Sequence, residues 1–162
     1  MTFNHTVRAL LAAGLIAGSL PAAGSAAETS VWTAKVNGDF VTLTYGSLNP
    51  DTSPLVMIAC FNSMGIAVLN VHADLPDMKL GTPLAIEFTS DGLTAPVEAE
   101  AGRDEPGDPI YGEATAIAVK PIVNVLRTDG PVTVKVDAVS AELPIHGRKE
   151  AVEQFAKDCS LD

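Results

Sequence analysis

Between Leu55 and His72, two apolar runs rich in β-branched residues, Leu-Val-Met-Ile-Ala-Cys-Phe and Ile-Ala-Val-Leu-Asn-Val-His, flank the polar stretch Asn62-Ser63-Met64-Gly65. Runs of this length around a glycine-ended turn read as a β-hairpin. Both are nearly continuous in apolar residues, which places the hairpin in the interior of a sheet. The first run carries Cys60, one of only two cysteines in the sequence; the other is Cys159. If the two sulfurs meet, the far end of the chain must return to this hairpin, and few folds allow that.

The compartment decides whether they meet. Met1 to Arg8 is a short start with one basic side chain, Leu10 to Leu20 is apolar, and Pro21 to Ala27 is rich in small residues, the pattern of a secretory signal peptide. The apolar run is well short of the roughly 20 residues that span a bilayer. No cysteine follows it to carry a lipid, and no later segment is long and apolar enough to cross a membrane. The expectation is a signal peptide over 1–27 and a single β-rich domain over 28–162, periplasmic or secreted. Two cysteines in an oxidising compartment then predict a Cys60–Cys159 disulfide. On a chain-entropy basis such a bridge is worth about 4–5 kcal/mol. The alternative is two free thiols, one buried in a strand and one near the C-terminus.

Around the hairpin the chain reads as further strands. Val31–Val36 and Phe40–Gly46 are joined by Asn37-Gly38-Asp39, whose Asn-Gly pair supplies the positive φ angles of a tight turn. Leu84–Phe88 and Leu93–Ala99 flank Ser90-Asp91-Gly92, with Pro96 pushing the second strand to an edge. Gly112–Lys120, Val132–Val136 and Ala138–Ile145 complete the set. Ile122, Val123, Val125 and Leu126 are spaced for one or two helical turns after Pro121. Arg148 to Cys159 is the clear helix: Ala151, Val152, Phe155, Ala156 and Cys159 share a face, with Arg148, Lys149, Glu150, Glu153, Lys157 and Asp158 on the rest. The predicted fold class is mainly β, an antiparallel sheet or two-sheet sandwich with a C-terminal helix tied to it by the disulfide.

Removing 1–27 takes away one of ten basic residues and none of twenty acidic ones, leaving nine against twenty, a net charge of −11. A chain this acidic repels phosphate unless basic residues are concentrated, and only Arg148 and Lys149 are adjacent; nucleic acid and anionic membranes are therefore disfavoured as partners. An acidic surface complements a basic partner.

Trp32, the strand ending in Cys60, the Leu80-Gly-Thr-Pro-Leu84 turn, the apolar segment before Asp129-Gly130 and the Gly147…Ala151…Phe155…Cys159 helix together resemble small exported bacterial domains of the VasI type, associated with type VI secretion loci. The Leu80 to Leu84 segment is also similar to the invasion-associated protein B family, whose cysteine pattern differs. The resemblance implies an accessory or interaction protein of the envelope, with another envelope or secreted protein as partner. It supplies no catalytic motif to carry over.

Candidate chemistry is sparse. His72, Asp74 and His146 are ligand types that zinc selects, but no short His spacing joins them, and strand-end polar residues are the plainer reading. They are also the residues a small metal-dependent or hydrolytic enzyme would use. Ser63 lacks the first glycine of a nucleophile elbow and reads as a turn residue. Cys60 sits in an apolar strand, where burial disfavours the thiolate. Asp104, Glu105 and Asp108 are oxygen donors on a flexible loop, without the alternation of a calcium loop. Trp32 and Tyr45 are core aromatics or a stacking surface. No cofactor motif is present and no cofactor is expected. The loop from Gly102 to Tyr111, with Arg103, Asp104, Glu105, Asp108 and Tyr111, is the expected contact surface, because loops on a rigid scaffold are where binding resides. The sequence thus points to a non-enzymatic exported binding or accessory module, protein-binding or inhibitor-like.

Overall fold

A computed structural model describes residues 29–61, 66–75 and 78–161. The expected signal peptide and the Asn62–Gly65 turn, with Ser63, lie outside them. The chain forms β1 (Ser30–Asn37), β2 (Phe40–Ser47), β3 (Val56–Phe61), β4 (Ile66–Val71), β5 (Pro83–Ser90), β6 (Leu93–Gly102), β7 (Tyr111–Ala118), α1 (Lys120–Leu126), β8 (Val132–Val136), β9 (Val139–Leu143) and α2 (Arg148–Asp158). All pairings are antiparallel, in a nine-stranded sheet ordered β1-β2-β3-β4-β7-β6-β5-β8-β9. The mainly β fold is thus one curled sheet, and the hairpin β3–β4 lies inside it.

The inner face follows from the period-two rule that aims alternate side chains of a strand at opposite faces, with a register shift between Ala67 and Leu69 where β4 pairs with β7. Val41 and Leu43 on β2, Val56, Ile58 and Cys60 on β3, and Ala67, Leu69 and Val71 on β4 are all at most 1% exposed. They line the inner face. α2 lies against β1 and β2, α1 against β5 and β6, and the two helices touch. Val152 and Phe155 from α2 and Ile122 and Leu126 from α1 bury completely among them. Cys60 and Cys159 are joined by the predicted disulfide, their Cα atoms 6.2 Å apart across a sequence separation of 99. The curl also brings the outer strands toward each other. The Trp32 indole N–H on β1 donates to the Pro144 carbonyl just beyond β9 at 2.9 Å. Trp32 is buried, and Tyr45 packs against it with ring centroids 5.1 Å apart.

Three local readings change. The first hairpin closes one residue later than the Asn-Gly signal suggests: Asn37 pairs with Phe40, so the turn is Gly38-Asp39, with Gly38 at φ +62°. Glycine at the first turn position supplies the needed positive φ alone. β6 is interior in strand order, yet pairs with β7 only over Glu100–Gly102, leaving Pro96 on a stretch with no partner on that side. There a missing N–H costs no ladder bond. Arg148, assigned by periodicity to the solvent face of the last helix, is 1% exposed. Its guanidinium donates to the carbonyls of Leu143 (3.2 Å), Thr128 (2.7 Å) and Gly130 (2.6 Å). As the first residue of α2 it reaches the turn before β8 instead of solvent.

Candidate functional site

Strand ends decide where the loops gather. Val56 at the start of β3 pairs with Val71 at the end of β4, Val71 pairs with Gly112 near the start of β7, and Tyr111 pairs with Gly102 at the end of β6. The loop before β3, the connection after β4 and the loop between β6 and β7 therefore emerge at the same end of the sheet. Between them lies a cleft of about 670 Å³ to which Asp51, Thr52 and Ser53, then His72, Ala73 and Asp74, then Asp104, Asp108, Pro109 and Ile110 contribute. Its size falls within the range of ordinary ligand sites.

The walls are braced. The His72 backbone N–H donates to the Leu55 carbonyl at 2.8 Å, extending the β3–β4 ladder by one step. His72 follows Val68 and Asn70 on the outer face, and its ring stacks on Tyr111 with centroids 4.5 Å apart and planes at 35°. The Tyr111 hydroxyl donates to Asp104 Oδ1 at 2.8 Å. Gly102 makes room for this stack, because a Cβ there would sit 3.0 Å from Tyr111 Cε2 and 2.8 Å from Glu113 Oε2. Asp108 Oδ2 accepts the Glu105 N–H at 3.1 Å, while the Asp108 N–H returns to the Glu105 carbonyl at 3.1 Å. In the first loop, Asn49 Oδ1 accepts the Asp51 N–H at 3.1 Å. Such side-chain-to-backbone bonds hold a loop in one shape.

The electrostatics follow from burial and charge. Burial pulls the His72 imidazole below its ordinary value of 6.5, with Asp104 drawing it partly back. The ring is therefore neutral at neutral pH and adds no positive charge to the cleft. Burial, the bond to Asp104 and the nearby Glu113 and Asp104 carboxylates push the Tyr111 phenol far above its usual range, so it remains a donor. Four aspartates, Asp51, Asp74, Asp104 and Asp108, thus face a cleft with no Lys or Arg among the described residues of its lining. Arg103 borders a neighbouring hollow with Asp74 and Asp108.

Of the expected contact residues, Arg103, Asp104, Glu105 and Asp108 are exposed, whereas Tyr111, at 4% exposure, is a buried support. His72 and Asp74 share the cleft; His146 is exposed and does not line it. Among the described residues no group of three His, Cys, Asp or Glu side chains is placed to hold a metal ion. Neither ring nitrogen of His72 has a hydrogen-bond partner among the described residues. Ser53 shares the cleft with that imidazole, but among the described residues no base–hydroxyl and base–acid hydrogen bonds join them into a nucleophilic triad. Residue-by-residue reading missed Asp51, Thr52 and Ser53, whose only local signal is that of a turn. It also missed the contribution of Gly102.

A disulfide-stapled, curled antiparallel β domain with an acidic, loop-built cleft at one end is the class defined by these features. The chain matches no known protein family, no curated protein and no solved structure.

Proposed function

We propose that this protein is a non-enzymatic, exported binding module of the bacterial envelope, and that the acidic end of its sheet receives a positively charged segment of another envelope or secreted protein. The observation that carries this reading is the cleft itself: four aspartates, no Lys or Arg among the described residues of its lining, with Arg103 at the adjoining hollow, and loops fixed by their own hydrogen bonds. Preorganised walls lower the entropy cost of association. A field of one sign attracts the opposite charge from a distance. The sequence resemblance to VasI-type domains, the apolar leader pattern at Leu10–Leu20 and the disulfide support an envelope location.

Site-specific photocrosslinking in the native envelope tests the reading. A photoreactive side chain at Pro109, on the cleft, should yield one discrete adduct with another protein; the same group at Asn37, at the opposite end, should yield none. Equal adducts from both positions, or none from Pro109, would refute it.

A further inference from the structure

Beside the acidic cleft the curled sheet leaves a second, smaller hollow of about 130 Å³. It lies where the end of β4 approaches the β8–β9 hairpin, and Val71, Val134, Val136, Val139 and Ala141 supply half of its lining residues. Val71, Val134 and Val136 are at most 2% exposed, so the hollow reaches down to core residues. An apolar cavity on the order of 150 Å³ accepts a benzene-sized group and stays dry when empty. The two hollows have His72, Ala73 and Asp74 in common. An apolar group seated in the slot would therefore have its neighbours along the chain beside Asp74, and beyond it Asp51, Asp104 and Asp108.

From this adjacency we infer that the site reads a peptide segment in which one aliphatic side chain is flanked by lysine or arginine. The aliphatic group enters the slot between β4 and the β8–β9 hairpin, and the cations lie in the acidic cleft. The inference rests on the binding-module reading and specifies what the module recognises. Neither part suffices alone. An aspartate-lined surface attracts any cation, and a slot for one side chain holds too little apolar surface for tight binding. Together they impose an order, apolar beside basic, that a polyamine or a simple metal ion does not meet. The neutral imidazole of His72 stands at the junction of the two hollows, where its unprotonated nitrogen can accept from an ammonium group.

The test uses the mature chain and three capped tripeptide amides, Lys-Leu-Lys, Lys-Ser-Lys and Glu-Leu-Glu, followed by backbone amide NMR shifts. Lys-Leu-Lys should move Val71 to Asp74 and Val134 to Ala141 together with Asp104 and Asp108. Lys-Ser-Lys should bind on the order of tenfold more weakly, the scale of one buried aliphatic side chain, and leave Val134 to Ala141 unmoved. Glu-Leu-Glu should not bind. Ala141→Leu, which fills the slot from within, should reduce Lys-Leu-Lys binding to the level of Lys-Ser-Lys while the spectrum elsewhere stays that of the folded protein. Asp74→Asn, which leaves the slot intact, should weaken it several-fold and checks the charge requirement independently. Equal shifts from Lys-Leu-Lys and Lys-Ser-Lys, or full binding by Ala141→Leu, would overturn the slot. If the Pro109 crosslink persists in that case, the binding-module reading survives its loss. Binding of Glu-Leu-Glu would overturn the charge requirement.

Discussion

The Arg148 guanidinium is held by three main-chain carbonyls, with Asp91 and Asp129 near enough to favour its charge against the burial that opposes it. Those carbonyls belong to Leu143, Thr128 and Gly130, so one side chain ties the end of β9 to the turn before β8. Arg148→Ala leaves these acceptors without their donor inside a packed region and should cost about 3 kcal/mol or more, read from urea unfolding. Arg148→Lys, a point cation without the planar fork, should recover only part of that loss. His72 gives the molecule a pH signature of its own. Its folded value lies below 6.5 because burial disfavours the imidazolium, so on acidification the unfolded chain takes up the proton first. Stability should fall as pH drops from above 6.5 to the depressed folded value, and this residue should add no further loss below it. His72→Gln should flatten that part of the profile, measured as urea midpoints in steps between pH 7.5 and 5. An unchanged slope in the variant would assign the dependence to other groups.

Among the elements, β3–β4 and α2 carry the bridge that joins sequence-distant parts of the chain. Changing Cys60 and Cys159 to serine together should lower stability by about 4 kcal/mol through release of the unfolded chain, measured against the oxidised wild type, and α2 should become the first segment to exchange its amides. The sequence announces this staple because the helical period puts Cys159 on the same face as Phe155, and because Cys60 alternates with Ile58 on the inner face of β3. The β1–β2 and β5–β6 hairpins are legible for a similarly local reason, each resting on a turn glycine, Gly38 or Gly92, that tolerates positive φ. What local pattern cannot convey is that β7 inserts between β4 and β6. That pairing joins segments tens of residues apart with no turn between them to reveal it, yet it is what carries Asp104 and Asp108 to the side of His72 and Asp74. Arg148 departs from the helical pattern for a related reason: at the first turn of a helix the direction of approach, rather than the 3.6-residue period, decides which side chains meet the core.

Considered as a whole, the molecule has two unlike ends. The loop end is acidic; at the opposite end Phe40 and Phe61 stack with ring centroids 4.8 Å apart, near Val36 and Ile66, which are 57% and 37% exposed. The charge asymmetry, within a net charge of −10 over the sequence, should orient the proposed basic partner before contact. Raising salt from about 50 to 500 mM should slow association with that partner roughly tenfold while changing dissociation much less, as read by surface-immobilised kinetics. A salt-independent association rate would show that the acidic end does not steer the encounter. One feature of the sheet bears on behaviour in concentrated solution. An open sheet presents two rows of free amides and carbonyls to any extended chain it meets, which is how fibrils recruit their first strands. Here the indole of β1 bonds to the carbonyl just beyond β9 and α2 lies against β1, so the β1 margin that would nucleate such growth is partly covered, a protection against self-templating that composition alone would not supply.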